Sequence, residues 1–193
     1  FILAHKSADE DVLVAAMIRG AFEFQGQKCS AASRVYIPQS IWPSVKSKLL
    51  KEMATIKVGP TEDFSNFVNA VIDKKAFDKI AGYIESAKKD GVEIIAGGTY
   101  SDEKGYFIDP TIIMAPTVKY KTMCEEIFGP VLTIFVYEDK EWSNMFNIVD
   151  TTSEYALTGA VIAQDRNTIT DATWALRNSA GNFYINDKPT GAV

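Results

Sequence analysis

The chain has one histidine and two cysteines in 193 residues, and those scarcities exclude more than the rest of the composition does. Two thiols, Cys29 and Cys124, make no disulfide framework, and such usage fits a reducing compartment. With His5 as the lone imidazole, a structural zinc site lacks ligands. No apolar run approaches the ~20 residues of a membrane helix, so no membrane span is expected. There is no internal repeat, low-complexity tract or block of like charge. Neither G-x-G-x-x-G nor the G-x-x-x-x-G-K-[ST] phosphate loop occurs, so the chain does not read as a dinucleotide-binding domain. A formal net charge of -5 leaves no basic face for nucleic acid.

What is present reads as one globular unit. Hydrophobic content is 47% and charged content 23%, and the length suffices for a sizeable core. Strand-like runs occur at 1–4, 34–37, 92–96, 131–136, 159–163 and 181–186. Between them lie helical patterns. Val12, Ala16, Gly20 and Phe24 form one apolar stripe that Gly26 breaks. Ile41, Val45, Leu49 and Met53 mark a second helix, with Ser40 as its expected cap and Pro43 in its first turn. Residues 61–71 read as loop. Asp73 starts a third helix through Phe77, Ile80, Ile84 and Ala87, ended by Gly91. Gly97-Gly98 form a turn with positive backbone angles, and 105–113 are extended. Trp142, Met145, Phe146 and Val149 mark one further helix, and Ile169, Thr173 and Leu176 another. This alternation predicts an α/β fold, a mostly parallel twisted sheet with helices on both faces. The chain opens on Phe1 without a methionine and stops at Val193 without a polar tail. It is read as a piece of a longer protein, one domain over 1–193, with a cofactor-binding domain outside it.

Three motifs carry the chemistry. Gly26-Gln27-Lys28-Cys29-Ser30 sets a thiol at a helix-loop-strand junction, beside a cation that favours thiolate. On its own, that cysteine reads more readily as a small buried hydrophobe, which is what most free cysteines are. Glu125-Glu126-Ile127-Phe128-Gly129-Pro130-Val131 places acidic and aromatic residues directly before a buried strand. Gly181-Asn182-Phe183-Tyr184-Ile185-Asn186-Asp187 runs into Lys188-Pro189-Thr190-Gly191-Ala192.

In this order and at these separations the three motifs resemble the catalytic domain of the aldehyde dehydrogenase superfamily. The likeness runs from about Phe1 to Val193. The strings His5-Lys6-Ser7-Ala8-Asp9, 21–31 and 182–191 resemble the branch that oxidises L-glutamate γ-semialdehyde in proline catabolism. The resemblance implies Cys29 as nucleophile and its backbone N–H as an oxyanion donor. It implies NAD as cofactor, with Glu126 on the nicotinamide ribose and Phe128 packed beside it. Ser30, Gly191 and Ala192 would hold the substrate's α-carboxylate. Some relatives carry serine where Ala192 stands, so backbone N–H groups would serve there. The general base and a second oxyanion donor are expected outside the chain, which on its own should be inactive. A homo-oligomer and the mitochondrial matrix are also implied for the intact protein.

Other readings are set beside this one. Glu10 and Glu23 fall on the helix before Cys29 and are not read as the base, while Glu125 and Cys124 read as structural. A thiol hydrolase would pair Cys29 with a histidine base, and only His5 is on offer, at the far end of that helix. The remaining alternatives are another subfamily of the same superfamily and a non-catalytic interaction domain retaining relic motifs.

Overall fold

The computed structural model describes residues 1–190. In chain order the elements are β1 (Ile2–Ala4), α1 (Glu10–Phe22), β2 (Arg34–Pro38), α2 (Trp42–Met53), α3 (Lys74–Lys89), β3 (Ile94–Ala96), β4 (Tyr100–Ser101) and β5 (Phe107–Ile108). They continue with β6 (Thr111–Met114), α4 (Lys121–Cys124), β7 (Val131–Tyr137), α5 (Trp142–Thr152), β8 (Thr158–Ile162), α6 (Arg166–Ala175) and β9 (Asn182–Ile185).

Seven strands form one sheet in the order β3-β6-β7-β2-β1-β8-β9. Every neighbouring pair is parallel except β3 with β6, so β3 is an antiparallel edge. In the middle, Ile2 sits level with Val35 on one side and Ala160 on the other. β4 and β5 form a separate antiparallel ribbon within the stretch expected to be extended.

Period-two alternation of the strands decides which helix packs where. Ile2, Ala4, Val35 and Ile37 face α1 and α2, where they meet Leu13, Met17, Val45 and Leu49. Leu3, Tyr36 and Val161 face the other way, onto Met145 and Val149 of α5 and Ala172 of α6. Ile2, Leu3, Leu13 and Leu49 are fully buried, each contributing about 1.5–3 kcal/mol. A third cluster seats Phe77, Ile80, Ile84 and Ala87 of α3 against Ile108, Ile113, Ile127 and Val131. Asp9 and Asp73 cap α1 and α3 by accepting from backbone N–H groups.

Two local expectations are corrected. Ser40 does not cap α2; the capping position is Ile41, with no side-chain bond, and the Ser40 N–H donates to Asp139 Oδ1 at 3.1 Å. The residue three places after Ser40 is Pro43, which has no N–H for a hydroxyl to satisfy. Phe24 is not on the buried stripe of α1. The helix stops at Phe22, the backbone turns left-handed, and Phe24 is 66% exposed.

Candidate active site

The first wall of the site begins where α1 ends. Phe24, Gln25 and Gly26 have φ of 52°, 58° and 65°, consecutive left-handed residues. For the two non-glycine residues that conformation costs about 1–2 kcal/mol each, so surrounding contacts must hold it. They do so on both sides of the turn. The Gln27 N–H donates to Phe24 O at 3.1 Å, and Gln27 Oε1 accepts from the Ile72 N–H at 2.9 Å. Gly26 abuts Gly129 so closely that an added Cβ would stand 2.2 Å from the Gly129 carbonyl oxygen. This contact joins the first motif to the second, backbone against backbone.

The chain next makes a turn over Lys28-Cys29-Ser30-Ala31, closed by the Ala31 N–H on Lys28 O at 3.0 Å. Cys29 occupies its corner and is exposed, whereas Cys124 is half-buried. Downstream, the Ala32 N–H donates to Gly20 O at 2.8 Å, and Thr158 Oγ1 donates to Ser30 O at 3.0 Å. The turn is therefore anchored to α1 behind it and to the start of β8 beside it.

The second wall is the entry to β7. Ile127 is buried in the α3 cluster, and its neighbours Glu126 and Phe128 are exposed on either side of it. Phe128 has φ 64°, which adds to the backbone strain of the site. Lys79 Nζ donates to the Glu126 carbonyl at 2.6 Å, and Tyr83 Oη donates to Glu125 Oε2 at 2.6 Å. Burial, then the hydrogen bond to Glu125 and its charge, push the Tyr83 phenol up to about 12. Glu125 is thus committed to a structural bond, and no ion pair engages the Glu126 carboxylate among the described residues.

Cys29, Lys28, Glu126 and Phe128 line one cleft of ≈ 180 Å³. Tyr155 and Leu157, in the connection from α5 to β8, form its third wall and are 56% and 46% exposed. This segment has no periodicity and no motif that would mark it in the sequence. Arg34 also lines the cleft, buried, with Nε donating to Tyr36 Oη at 3.1 Å. Its position as the first residue of β2 was the available signal.

Of the remaining residues expected at the site, Ser30 is half-buried beside Cys29 but does not line the cleft. Gly191 and Ala192 lie outside the described residues. His5 is engaged elsewhere, with Nδ1 2.9 Å from Ser7 Oγ and its ring edge-on to Trp142. It does not line the cleft, so the thiol-hydrolase pairing has no base. No group of three or more potential metal ligands occurs among the described residues.

An exposed thiol shares its cleft with an acidic and an aromatic side chain, and comparison with known proteins identifies the lineage. The family model for aldehyde dehydrogenases matches residues 1–193. The mitochondrial Δ1-pyrroline-5-carboxylate dehydrogenase of Danio rerio is 52% identical over 195 residues, covering 100% of this chain and 35% of that protein. The crystal structure of the Mycobacterium tuberculosis Δ-pyrroline-5-carboxylate dehydrogenase bound with NAD superposes at TM-score 0.92 with 47% identity, over 100% of this chain and 35% of that one. A Thermus 1-pyrroline-5-carboxylate dehydrogenase with bound NAD follows at TM-score 0.88 and 32% identity, over 100% of this chain and 36% of that one. The chain thus spans about a third of the length of such relatives. Because the match leaves no stretch of the sequence unaccounted for, the chain belongs to the aldehyde dehydrogenase family.

Proposed function

We propose that the intact protein is an NAD-dependent Δ1-pyrroline-5-carboxylate dehydrogenase, oxidising L-glutamate γ-semialdehyde to L-glutamate, and that this chain is its nucleophile-bearing domain. The observation that carries the reading is that the exposed Cys29 shares one cleft with Glu126 and Phe128.

The Cys29 thiolate adds to the aldehyde carbon, forming a C–S bond while the carbonyl π pair moves to oxygen. The backbone N–H of Cys29 stabilises that oxyanion if the turn directs it there. Collapse of the adduct re-forms the carbonyl and expels a hydride, leaving a thioester. Water then cleaves the C–S bond, giving the carboxylate and returning the thiol. NAD, held by Glu126 and Phe128, would supply the acceptor for that hydride.

The residues present fit that cofactor. Glu126 offers two acceptor oxygens to a ribose diol, with no ion pair competing for them. Phe128, 40% exposed at the cleft, offers a ring face beside it. Ser30, Gly191 and Ala192 are proposed for the substrate's α-carboxylate. The general base and second oxyanion donor would come from the remainder of the intact protein. A homo-oligomer and the mitochondrial matrix complete the proposal, the latter supported by relatives from Danio rerio and Rattus norvegicus that are named as mitochondrial.

The test is NADH formation by the full-length protein with glutamate semialdehyde, comparing wild type with Cys29→Ser. Wild type should turn over and the variant should not, while NAD binding stays unchanged. A serine variant that keeps the rate, or a wild type indifferent to this aldehyde, would overturn the proposal.

A further inference from the structure

Glu23, immediately after α1, gathers cations from three parts of the chain. Its carboxylate meets Arg19 Nε at 2.5 Å, Lys28 Nζ at 3.1 Å and Lys188 Nζ at 2.7 Å, and its side chain is only 13% exposed. Lys28 immediately precedes Cys29 and lines the cleft, whereas Lys188 follows β9. Burial pushes the Glu23 carboxyl up, but the hydrogen bonds from Lys188 and Lys28 and the charge of Arg19 outweigh it. The group stays ionised to below the ordinary glutamate range.

Gly20, one turn earlier, repeats the arrangement without charge. Its carbonyl accepts from the Ala32 N–H, and a Cβ there would lie 3.2 Å from both Ala32 Cβ and Pro189 Cδ. The end of α1 is therefore held from one side by residues flanking Cys29 and from the other by residues following β9. Isolated exposed ion pairs contribute little. A shielded carboxylate shared by two such segments does something different, because it sets their spacing.

We infer that Glu23 is a positioning residue that fixes the Cys29 turn relative to segment 187–190, and thereby the reach of acidic aldehyde the site accepts. This rests on the proposed function, in which the substrate is held by sulfur at one end and through its carboxylate near the chain after β9 at the other. Glu23 itself touches no substrate in this scheme. Its removal should misplace the anchor without disabling the thiol.

The test uses the full-length protein with Glu23→Gln, Lys188→Met and the double variant. Steady-state rates are measured with glutamate semialdehyde and with propionaldehyde, which reaches the sulfur but has no carboxylate. Glu23→Gln should lower kcat/KM for the semialdehyde about tenfold, chiefly through KM, and leave propionaldehyde within about twofold. Lys188→Met should act in the same direction, and the double variant should be no worse than the poorer single one. Equal losses on both aldehydes would show a merely structural role, and no loss would remove the role altogether. Either result overturns the inference.

If wild type does not oxidise the semialdehyde, the functional reading fails, and the linkage is decided by alkylating Cys29 with iodoacetamide. Lys188→Met should change that rate about threefold in wild-type background and not in Glu23→Gln. An unchanged rate, or the same change in both backgrounds, rejects the linkage.

Discussion

Replacing Gly26 with alanine would separate the two walls of the cleft, and the cost can be worked from the backbone. At φ 65° an L side chain is strained by about 1–2 kcal/mol. The new Cβ would also stand 2.2 Å from Gly129 O, where ordinary contacts begin near 3.4 Å. The obstructing atom is backbone, so the two loops must part, an overpacking worth about 1–3 kcal/mol. Together the variant should lose about 2–5 kcal/mol out of a typical total of about 5–15. Gly82 supplies the control, because it lies in α3 and a Cβ there meets nothing within 4 Å. Gly82→Ala should gain about 0.5–1 kcal/mol. In urea, with m of about 1–3 kcal/mol/M, Gly26→Ala should lower the midpoint by about 0.7 M or more while Gly82→Ala raises it. The reasoning fails if both variants unfold at the wild-type midpoint, or if Gly26→Ala is destabilised by no more than an exposed loop substitution.

Three further outcomes follow from the same geometry. Iodoacetamide should modify the exposed Cys29 at least ~10-fold faster than half-buried Cys124, whose sulfur lies 3.9 Å from Val118 O; equal labelling would remove the presented-thiol reading. Glu126→Gln should weaken NAD binding about 10–100-fold by calorimetry, the worth of a charge-assisted bond, and leave the urea midpoint unchanged because the carboxylate is exposed. The third concerns pH. The folded pKa of Glu23 lies below the ordinary 4.5, so its contribution is full above that value and is lost as pH falls through the lower one. The stability gap between wild type and Glu23→Gln should therefore be constant near neutrality and close on acidification, and a gap that widens in acid contradicts the clamp.

Much of the scaffold was readable because burial imposes period. Phe77, Ile80, Ile84 and Ala87 were legible as one face of α3, and the uninterrupted apolar run of β7 as a strand covered on both sides. The motifs brought Cys29, Glu126 and Phe128 to notice, and all three line the same cleft. The reversal at Phe24 and Gln25 was not legible, since neither residue type announces a left-handed backbone and only tertiary contacts impose it. Nor was the pairing of Glu23 with Lys188, whose partners lie 165 positions apart. The wall at Tyr155 and Leu157 escaped because it is irregular, and its place depends on the Gly181 and Asn182 N–H groups that bind Ala156 O and Leu157 O.

The left-handed run ahead of the thiol also makes the sulfur a gauge of the whole molecule. The left-handed angles of Phe24 and Gln25 cost energy that contacts from α1, the Gly129 loop and Ile72 together offset, so releasing those contacts would favour ordinary helix angles. Loosening any of these distant pieces would therefore register first as a change in how the thiol meets reagents, before spectroscopic signs of unfolding emerge.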